Sequence, residues 1–308
     1  MLMKASLRAS HMDVSNTVDV TDPAEVASAV KSMLEARYPG FDFSPVDVLA
    51  ADFTRLYEGH YPGFRGCDIK YHNAQHVLDV TLAMARLLDG HDGSVPPGQR
   101  LGAALALVGI AAAFFHDSGY IRRSRDTRHS NGAAYTLVHV SRSARFMEEY
   151  LPGAGLAHLV GPCTRIVHFT GYELDPGRID VASDAERRLG CLLGTADLIA
   201  QMADVDYLSK CREHLYAEFE AGGMAGEQGH STHTGTIYRS PDHLLASTPD
   251  FIRTAIDVRL ERQFGGAYRY AARHFGGKDL YMDAIAANSR RLHSLLAGTP
   301  ANSPVPSN

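Results

Sequence analysis

The sequence predicts an all-α fold, and two patterns indicate it. Apolar residues recur at three-to-four spacing along most of the 308-residue chain, and no stretch alternates apolar and polar residues for long enough to form a sheet. Neither an internal repeat nor a shift in composition divides the chain. We therefore expect one domain over residues 21–297, with a flexible N-terminus at 1–20 and a flexible tail at 298–308.

Capping and breaking signals set the order of the elements. Asp22-Pro23 begins the first helix, and Gly90 is expected to end the third. Turn-rich segments predict loops at 120–128, 171–183 and 221–236. The predicted helices are 21–38, 44–59, 72–88, 98–116, 129–150, 155–169, two within 184–220 that are separated near Asp204, 241–263, 266–275 and 279–297.

The composition is that of a globular protein with a small net charge. The chain has 30 basic and 35 acidic residues, so no positive field is available to hold a nucleic-acid polymer by its phosphates. The most apolar run, 101–115, is shorter than the roughly 20 residues that a bilayer span requires, and we see no signal peptide. The four cysteines contain no CxxC pair, as is typical of reduced proteins. We expect a cytoplasmic protein without a membrane partner.

Two groups of residues have the composition of a metal site. If residues 71–80, YHNAQHVLDV, are helical, His72, His76 and Asp79 lie on one face and can act on one site. The pair His116-Asp117 follows a buried apolar helix, which is a stiff support for metal ligands. The alternatives are a polar surface turn for the first group and a helix-capping hydrogen bond for the second.

A third acidic residue, Asp197, lies among small apolar residues in the segment LGTADLIA. A helix here would be mostly buried, and a buried carboxylate is costly unless it is paired or bound to a metal. The alternative is a buried Asp that accepts hydrogen bonds from the backbone.

Taken in order, the segments YHNxxHxxDV, FFHDxG and TADLIA resemble the HD-domain superfamily of metal-dependent phosphohydrolases. The first is similar to the corresponding motif of cyclic-nucleotide phosphodiesterases. The resemblance covers about residues 71–200 and implies a single helical domain of that type. It implies that the first metal ion is bound by His76, His116, Asp117 and Asp197, and that Asp117 bridges to a second metal ion. It also implies that His72 donates the proton to the leaving oxygen.

Further positions follow from the same resemblance. His129 begins HSNGAAY and His168 lies in RIVHFT, which are similar to segments that complete a second metal site in many bacterial members. The alternatives are a loop histidine and a helix-end histidine. Asn73 and Asp79 are expected to support the ligands without touching the metal. The cofactors are two divalent metal ions, and iron, manganese, magnesium, zinc and nickel all suit mixed nitrogen and oxygen ligands.

The sequence departs from the family pattern at one position. The HDxGK version of the motif has a lysine where this chain has Tyr120, so that a phosphate contact would have to come from elsewhere. Guanidinium groups bind phosphate oxygens bidentately, and the next loop carries Arg122, Arg123, Arg125 and Arg128. The alternative is a solvated charged face. We find no glutamine and aromatic clamp for a purine, which argues against a cyclic nucleotide as substrate.

The expected activity is the hydrolysis of a nucleotide-type phosphoester by a two-metal site, and the expected partner is a small phosphorylated substrate. Two alternatives are a di-iron oxygenase with the same ligands and a non-catalytic HD domain that senses a nucleotide. The complete ligand set and the role of His72 favour the hydrolase. The sequence indicates neither the exact substrate nor the oligomeric state.

Overall fold

The computed structural model describes residues 8–226 and 238–298, and in these residues the chain is all-α, as predicted. Only isolated bridges, with no named strand or sheet, pair extended backbone in this part of the chain. The α-helices are α1 Pro23–Arg37, α2 Pro45–Tyr57, α3 Ala74–Ser94, α4 Gly102–Phe115, α5 His139–Gly153, α6 Val160–Ile166, α7 Asp184–Ala203, α8 Tyr207–Lys210, α9 Tyr216–Ala221, α10 Pro241–Thr254, α11 Arg269–His274 and α12 Leu280–Gly298.

Helices α3, α4 and α7 form the centre of the fold. Helix α3 packs against α1, α4, α7 and α11, and α4 is buried from Ala106 to Phe115. Small residues allow this close packing: a Cβ on Gly109 would lie 2.5 Å from the methyl carbon of Met84. By length and composition Pro97–Tyr120 could cross a membrane, but 78% of its most apolar window is buried inside the fold. This burial agrees with the buried core helix expected from the sequence, although the helix is longer than the apolar run 101–115.

Helix α3 does not end at Gly90 but continues to Ser94. Gly90 lies where α11 crosses α3, and a Cβ there would be 1.8 Å from the carbonyl oxygen of Tyr270. The glycine is therefore needed for close helix packing, and the interpretation as a helix stop was wrong.

Two predicted helices are shorter than expected. Residues 129–138 contain only the short 3₁₀ turn Gly132–Tyr135, and α5 begins at His139. Gly132 lies close to the carbonyl oxygen of Tyr120, and its N–H donates to Asp68, so these contacts replace helical ones. Helix α6 covers only part of the expected 155–169, between two 3₁₀ turns.

The second half of the chain agrees with the prediction at its main break. Helix α7 ends at Ala203, next to the predicted break at Asp204. Helices α8 and α9 are joined by the π-helical turn Cys211–Leu215, and α10 continues into a π-helical segment, Ala255–Gln263. Most of the predicted loop 221–236 lies outside the described residues, as do residues 299–308 of the predicted tail.

Residues 8–20 pack against the domain and do not fray as expected. Asp13 is buried, and its carboxylate accepts hydrogen bonds from the N–H groups of Ser15, Thr17 and Val18. It also forms an ion pair with the buried guanidinium of Arg86 on α3. Burial alone would raise the pKa of Asp13, but Arg86 and these hydrogen bonds lower it to about 2. The folded domain therefore begins before residue 21.

We predict that Asp13→Ala lowers the free energy of unfolding at pH 7 by about 3 kcal/mol, because it leaves the guanidinium of Arg86 buried without its anion. Because the folded-state pKa of Asp13 is depressed, the contribution of the pair is present above about pH 4 and is lost as the pH falls toward 2. Urea unfolding at pH 7 and at pH 3 measures both effects.

The matched control for this prediction is Asp250→Ala, which removes the partner of Arg253 in a pair that is 69% and 77% exposed. It should not change the urea midpoint, because exposed ion pairs contribute little. An Asp13→Ala variant as stable as this control would contradict the role assigned to the buried pair.

Candidate metal centre

His76 is placed by the first turn of α3. Asn73 is the N-cap of this helix, and its side-chain oxygen accepts a hydrogen bond from the N–H of His76. Asn73 thus orients the backbone of a candidate ligand, which agrees with the supporting role expected for it. His72 precedes the helix, so the expected arrangement of His72 and His76 on one helical turn was wrong. The two imidazole centroids still lie 5.8 Å apart.

His116 and Asp117 lie where the buried helix α4 ends, and both side chains are almost fully buried. The Nδ1–H of His116 donates to the carbonyl oxygen of Ala113 at 2.8 Å, which leaves Nε2 as the nitrogen with a free lone pair. Asp197 reaches the same point from α7. The motifs that are far apart in sequence therefore meet at the junction of three core helices.

His76, His116 and Asp197 can hold a metal ion: one ligand atom from each lies within 4.8 Å of the others. Asp117 adds a fourth ligand atom, since its Oδ2 is 3.5 Å from His76 Nε2 and 3.4 Å from His116 Nε2. Asp197 Oδ1 is 3.3 Å from His76 Nε2 and 3.9 Å from His116 Nε2. Two neighbouring donor atoms bound to one metal ion at about 2.1 Å lie roughly 3.0 to 3.5 Å apart, so the three shorter spacings suit a shared ion.

The hydrogen bonding of these atoms also fits a metal. Nε2 of His76, Nε2 of His116 and Oδ2 of Asp117 are buried and have no hydrogen-bond partner within residues 8–226 and 238–298. A buried polar atom without a partner is costly, and here three converge on one point. A divalent cation would satisfy all three at once.

The electrostatics of the centre favour a cation. Burial would lower the pKa of His116, but the carboxylates of Asp117 and Asp197 outweigh it and raise this pKa to about 9. Burial would raise the pKa of Asp117, but the imidazoles of His116, His72 and His76 hold it well below its usual range. Two carboxylates at this point therefore stabilise a positive charge, which protons or a metal ion can supply.

His72 is bound by a residue that the sequence did not indicate. Its Nδ1 donates to Glu218 Oε2 at 2.7 Å, and Glu218 Oε1 accepts from the N–H of Tyr71. Glu218 belongs to α9 and is 5% exposed, so the pair is shielded from water. Burial would lower the pKa of His72, but the carboxylate of Glu218 raises it above the usual value. This pair therefore favours the protonated imidazole, in which Nε2 is the second donor.

His139 is a second residue that the sequence did not indicate. It is the first residue of α5; its Nδ1–H donates to the carbonyl oxygen of Thr136 at 2.7 Å, and its Nε2 lies 3.8 Å from Asp117 Oδ1. Burial lowers the pKa of His139, which favours the neutral imidazole that binds metals. Its tautomer matches that of His116, and it faces Oδ1 of Asp117, whereas His76 and His116 face Oδ2.

The contacts of His129 lie elsewhere. Its Nδ1 is 3.0 Å from Asp126 Oδ2, its ring packs against Tyr135, and 37% of its side chain is exposed. No contact among the described residues connects it with the cluster. His129 and His139 are ten residues apart, and the similarity of HSNGAAY to the family segment favoured the first. No signal in the sequence marked His139, because the predicted helix 129–150 placed it in a helix interior and only the structure shows that α5 begins there.

His168 lies in the 3₁₀ turn Val167–Phe169 and is partly buried, and burial lowers its pKa. The carboxylate of Glu173 acts on both His168 and His139. Both histidines therefore lie near Glu173. Among the described residues, no direct contact joins His168 to the cluster of His76, His116, Asp117 and Asp197.

Asp79 also departs from its expected place. No hydrogen bond in the described residues joins it to His72 or His76, and its Oδ1 is buried without a partner. Burial and the nearby carboxylate of Asp204 raise the pKa of Asp79 to about 7. It lines a small polar cavity with His76, next to the N-terminal segment.

The arginines of the loop after α4 are largely used within the fold. Arg122 is 8% exposed and binds Asp68 through Nε and an Nη, while its other Nη donates to the carbonyl oxygen of His129. Arg123 pairs with Glu149 and lies over the ring of Phe64. Arg125 and Arg128 are exposed. The structure thus favours a structural role for Arg122 and Arg123.

In comparisons with known proteins, no protein-family model and no curated protein matches the chain. The assignment of the site therefore depends on the residues themselves.

We predict that His116→Ala weakens Mn²⁺ binding by at least about 100-fold, because it removes a ligand that is already oriented by Ala113. His139→Ala should weaken a second, separately titrating Mn²⁺ ion, whereas His129→Ala should leave both unchanged. Isothermal titration and metal analysis after dialysis measure these affinities.

The control for the metal titrations is His293→Ala, an exposed histidine on α12. Loss of the second ion in His129→Ala, with wild-type binding in His139→Ala, would restore the ligand set expected from the sequence.

Proposed function

We propose that this chain is a metal-dependent phosphohydrolase of the HD-domain type, which hydrolyses a nucleotide-type phosphoester. The single observation that carries the proposal is the pair formed by His72 and Glu218 beside the cluster of His76, His116, Asp117 and Asp197. A ligand cluster alone suits many activities. A half-buried imidazole next to it, whose protonated form is favoured by Glu218, would supply the acid that cleavage of a phosphoester needs.

The cluster would hold the first ion through His76, His116, Asp117 and Asp197, and the second through Asp117 with His139 and, as a prediction from sequence, His168. When bound, two divalent ions lower the pKa of water and neutralise charge on phosphoryl oxygens. The chain contributes the fixed donor atoms: His116 and His139 each donate Nδ1–H to a carbonyl oxygen and so present Nε2.

His72 would donate a proton to the leaving oxygen from Nε2. Glu218 occupies Nδ1, so Nε2 is the only ring nitrogen free to act. The carboxylate of Glu218 also stabilises the imidazolium form of His72 before the reaction. It stabilises the neutral imidazole less once the proton has left. The carboxylate therefore determines both which nitrogen donates and how strongly it holds the proton.

The metal ions and His72 would neutralise the negative charge of the substrate. The guanidinium groups of Arg122 and Arg123 would not, because they already bind carboxylates within the fold. The four free thiols, Cys67, Cys163, Cys191 and Cys211, support the cytoplasmic location that we propose for the enzyme. The two alternatives, a di-iron oxygenase and a nucleotide sensor, give no role to an acid paired with Glu218.

We predict that His72→Asn lowers kcat for a phosphodiester by about 10² to 10⁴-fold while metal content stays at the wild-type value, because His72 acts as an acid and not as a ligand. The probe is a dinucleoside monophosphate with Mn²⁺, whose leaving alkoxide needs a proton, and bis(p-nitrophenyl) phosphate, whose nitrophenolate leaves without one, is the comparison that should lose much less. Loss of metal in His72→Asn would reject its assignment as the acid. Oxygen consumption without hydrolysis of either compound would support the oxygenase instead.

Glu218→Gln should lower kcat less than His72→Asn does and should move the basic limb of the pH–rate profile to lower pH. The sign follows from the carboxylate: Glu218 raises the pKa of His72, so its neutral replacement lets the acid lose its proton earlier as the pH rises. Glu220→Gln, which changes an exposed carboxylate on the same helix, is the matched control. An unshifted limb in Glu218→Gln would contradict the role of the pair.

A further inference from the structure

Tyr120 contacts two imidazoles of the metal centre. Its ring centroid lies 4.6 Å from that of His72 and 4.5 Å from that of His139, and in both pairs the rings are within 17° of parallel. The two imidazole centroids are 6.3 Å apart. The three rings form one compact group, which joins the segment before α3 to the start of α5.

The ring of Tyr120 is itself fixed by its surroundings. It is 2% exposed and packs in a small apolar cluster with Ile69 and Ala133. Its hydroxyl lies beside the side chain of Thr136, whose own hydroxyl donates to the carbonyl oxygen of Ala133 at 2.6 Å. Tyr120 is thus a rigid surface against which neighbouring rings can be oriented.

His72 and His139 need such a surface because neither is enclosed within a helix. His72 lies before α3 and is held at Nδ1 by Glu218, and His139 is the first residue of α5 and is held at Nδ1 by Thr136. One hydrogen bond fixes one ring atom and still allows the ring to swing about it. Stacking on a third ring removes that freedom, and small errors in ligand or acid orientation are costly to activity.

We propose that Tyr120 is a positioning residue, whose ring fixes the planes of His72 and His139 at once. The part that concerns His72 rests on the proposed phosphohydrolase function, whereas the part that concerns His139 is a matter of metal binding. The aromatic ring carries this role, and the hydroxyl only anchors it.

The test compares Tyr120→Leu, which removes the ring, with Tyr120→Phe, which keeps it. Tyr120→Leu should weaken the second Mn²⁺ ion about 10-fold and lower kcat for the dinucleoside monophosphate by on the order of 10-fold, with KM changed less than about twofold. Tyr120→Phe should stay within about twofold of the wild type in all three. Tyr61→Leu, which removes a ring packed on Phe64, Phe146 and Tyr150, is the control for loss of an aromatic residue.

A second readout does not need turnover. In metal-free protein labelled at histidine Cε1, the NMR signals of His72 and His139 should shift in Tyr120→Leu because they lose the ring current, while that of His293 should not. If Tyr120→Leu fails to fold, Tyr120→Met replaces it, since a flexible thioether fills the same space without a ring.

Two results would overturn the proposal. Equal loss in Tyr120→Phe and Tyr120→Leu would assign the effect to the hydroxyl. Wild-type Mn²⁺ affinity and unshifted histidine signals in Tyr120→Leu would show that the ring positions neither imidazole. Failure of the wild-type protein to hydrolyse either probe would instead contradict the proposed function, and the metal titration and NMR signals would still decide the role of Tyr120.

Discussion

The burial of the Asp117 carboxylate is the constraint on which the rest of the site depends. A charge at the end of an apolar helix loses its hydration, and the loss must be offset by charges or donors within the fold. Three imidazoles lie near this carboxylate: His76 in the first turn of α3, His116 at the end of α4 and His139 at the start of α5. Packing of α3, α4 and α5 is therefore tied to the electrostatics of one side chain, and a divalent ion would complete the compensation that the imidazoles begin.

The sequence predicted the all-α fold and the residues that form the centre of the cluster, His76, His116 and Asp197. Each local pattern alone left an alternative open, such as a polar surface turn or a helix-capping hydrogen bond. The order of the three segments along the chain, through its resemblance to the HD-domain superfamily, is what selected these residues and Asp117 as one ligand set.

Glu218 and His139 could not be predicted in the same way. Glu218 is 146 residues from His72 in the chain, and no motif marks it, since only the packing of α9 brings the two side chains together. His139 was not among the expected ligands, because the predicted helix began at residue 129. Gly132 makes tertiary contacts instead, and α5 begins only at His139. Gly90 was misinterpreted for the same reason, because a glycine that ends a helix and one that lets another helix approach are alike in sequence.

The π-helical turn Cys211–Leu215 has a consequence for how this site can change. A π turn holds one residue more than an α turn, and each residue of an α-helix rotates the chain by about 100°. The π turn therefore accommodates its extra residue while the helix that follows keeps its direction and its face. If the same residues took regular α-helical geometry, α9 would rotate and its face that carries Glu218 would turn away from His72. The contact that holds His72 thus depends on the π conformation of this turn, and a change from π to α geometry there would remove it without altering any residue of the metal cluster.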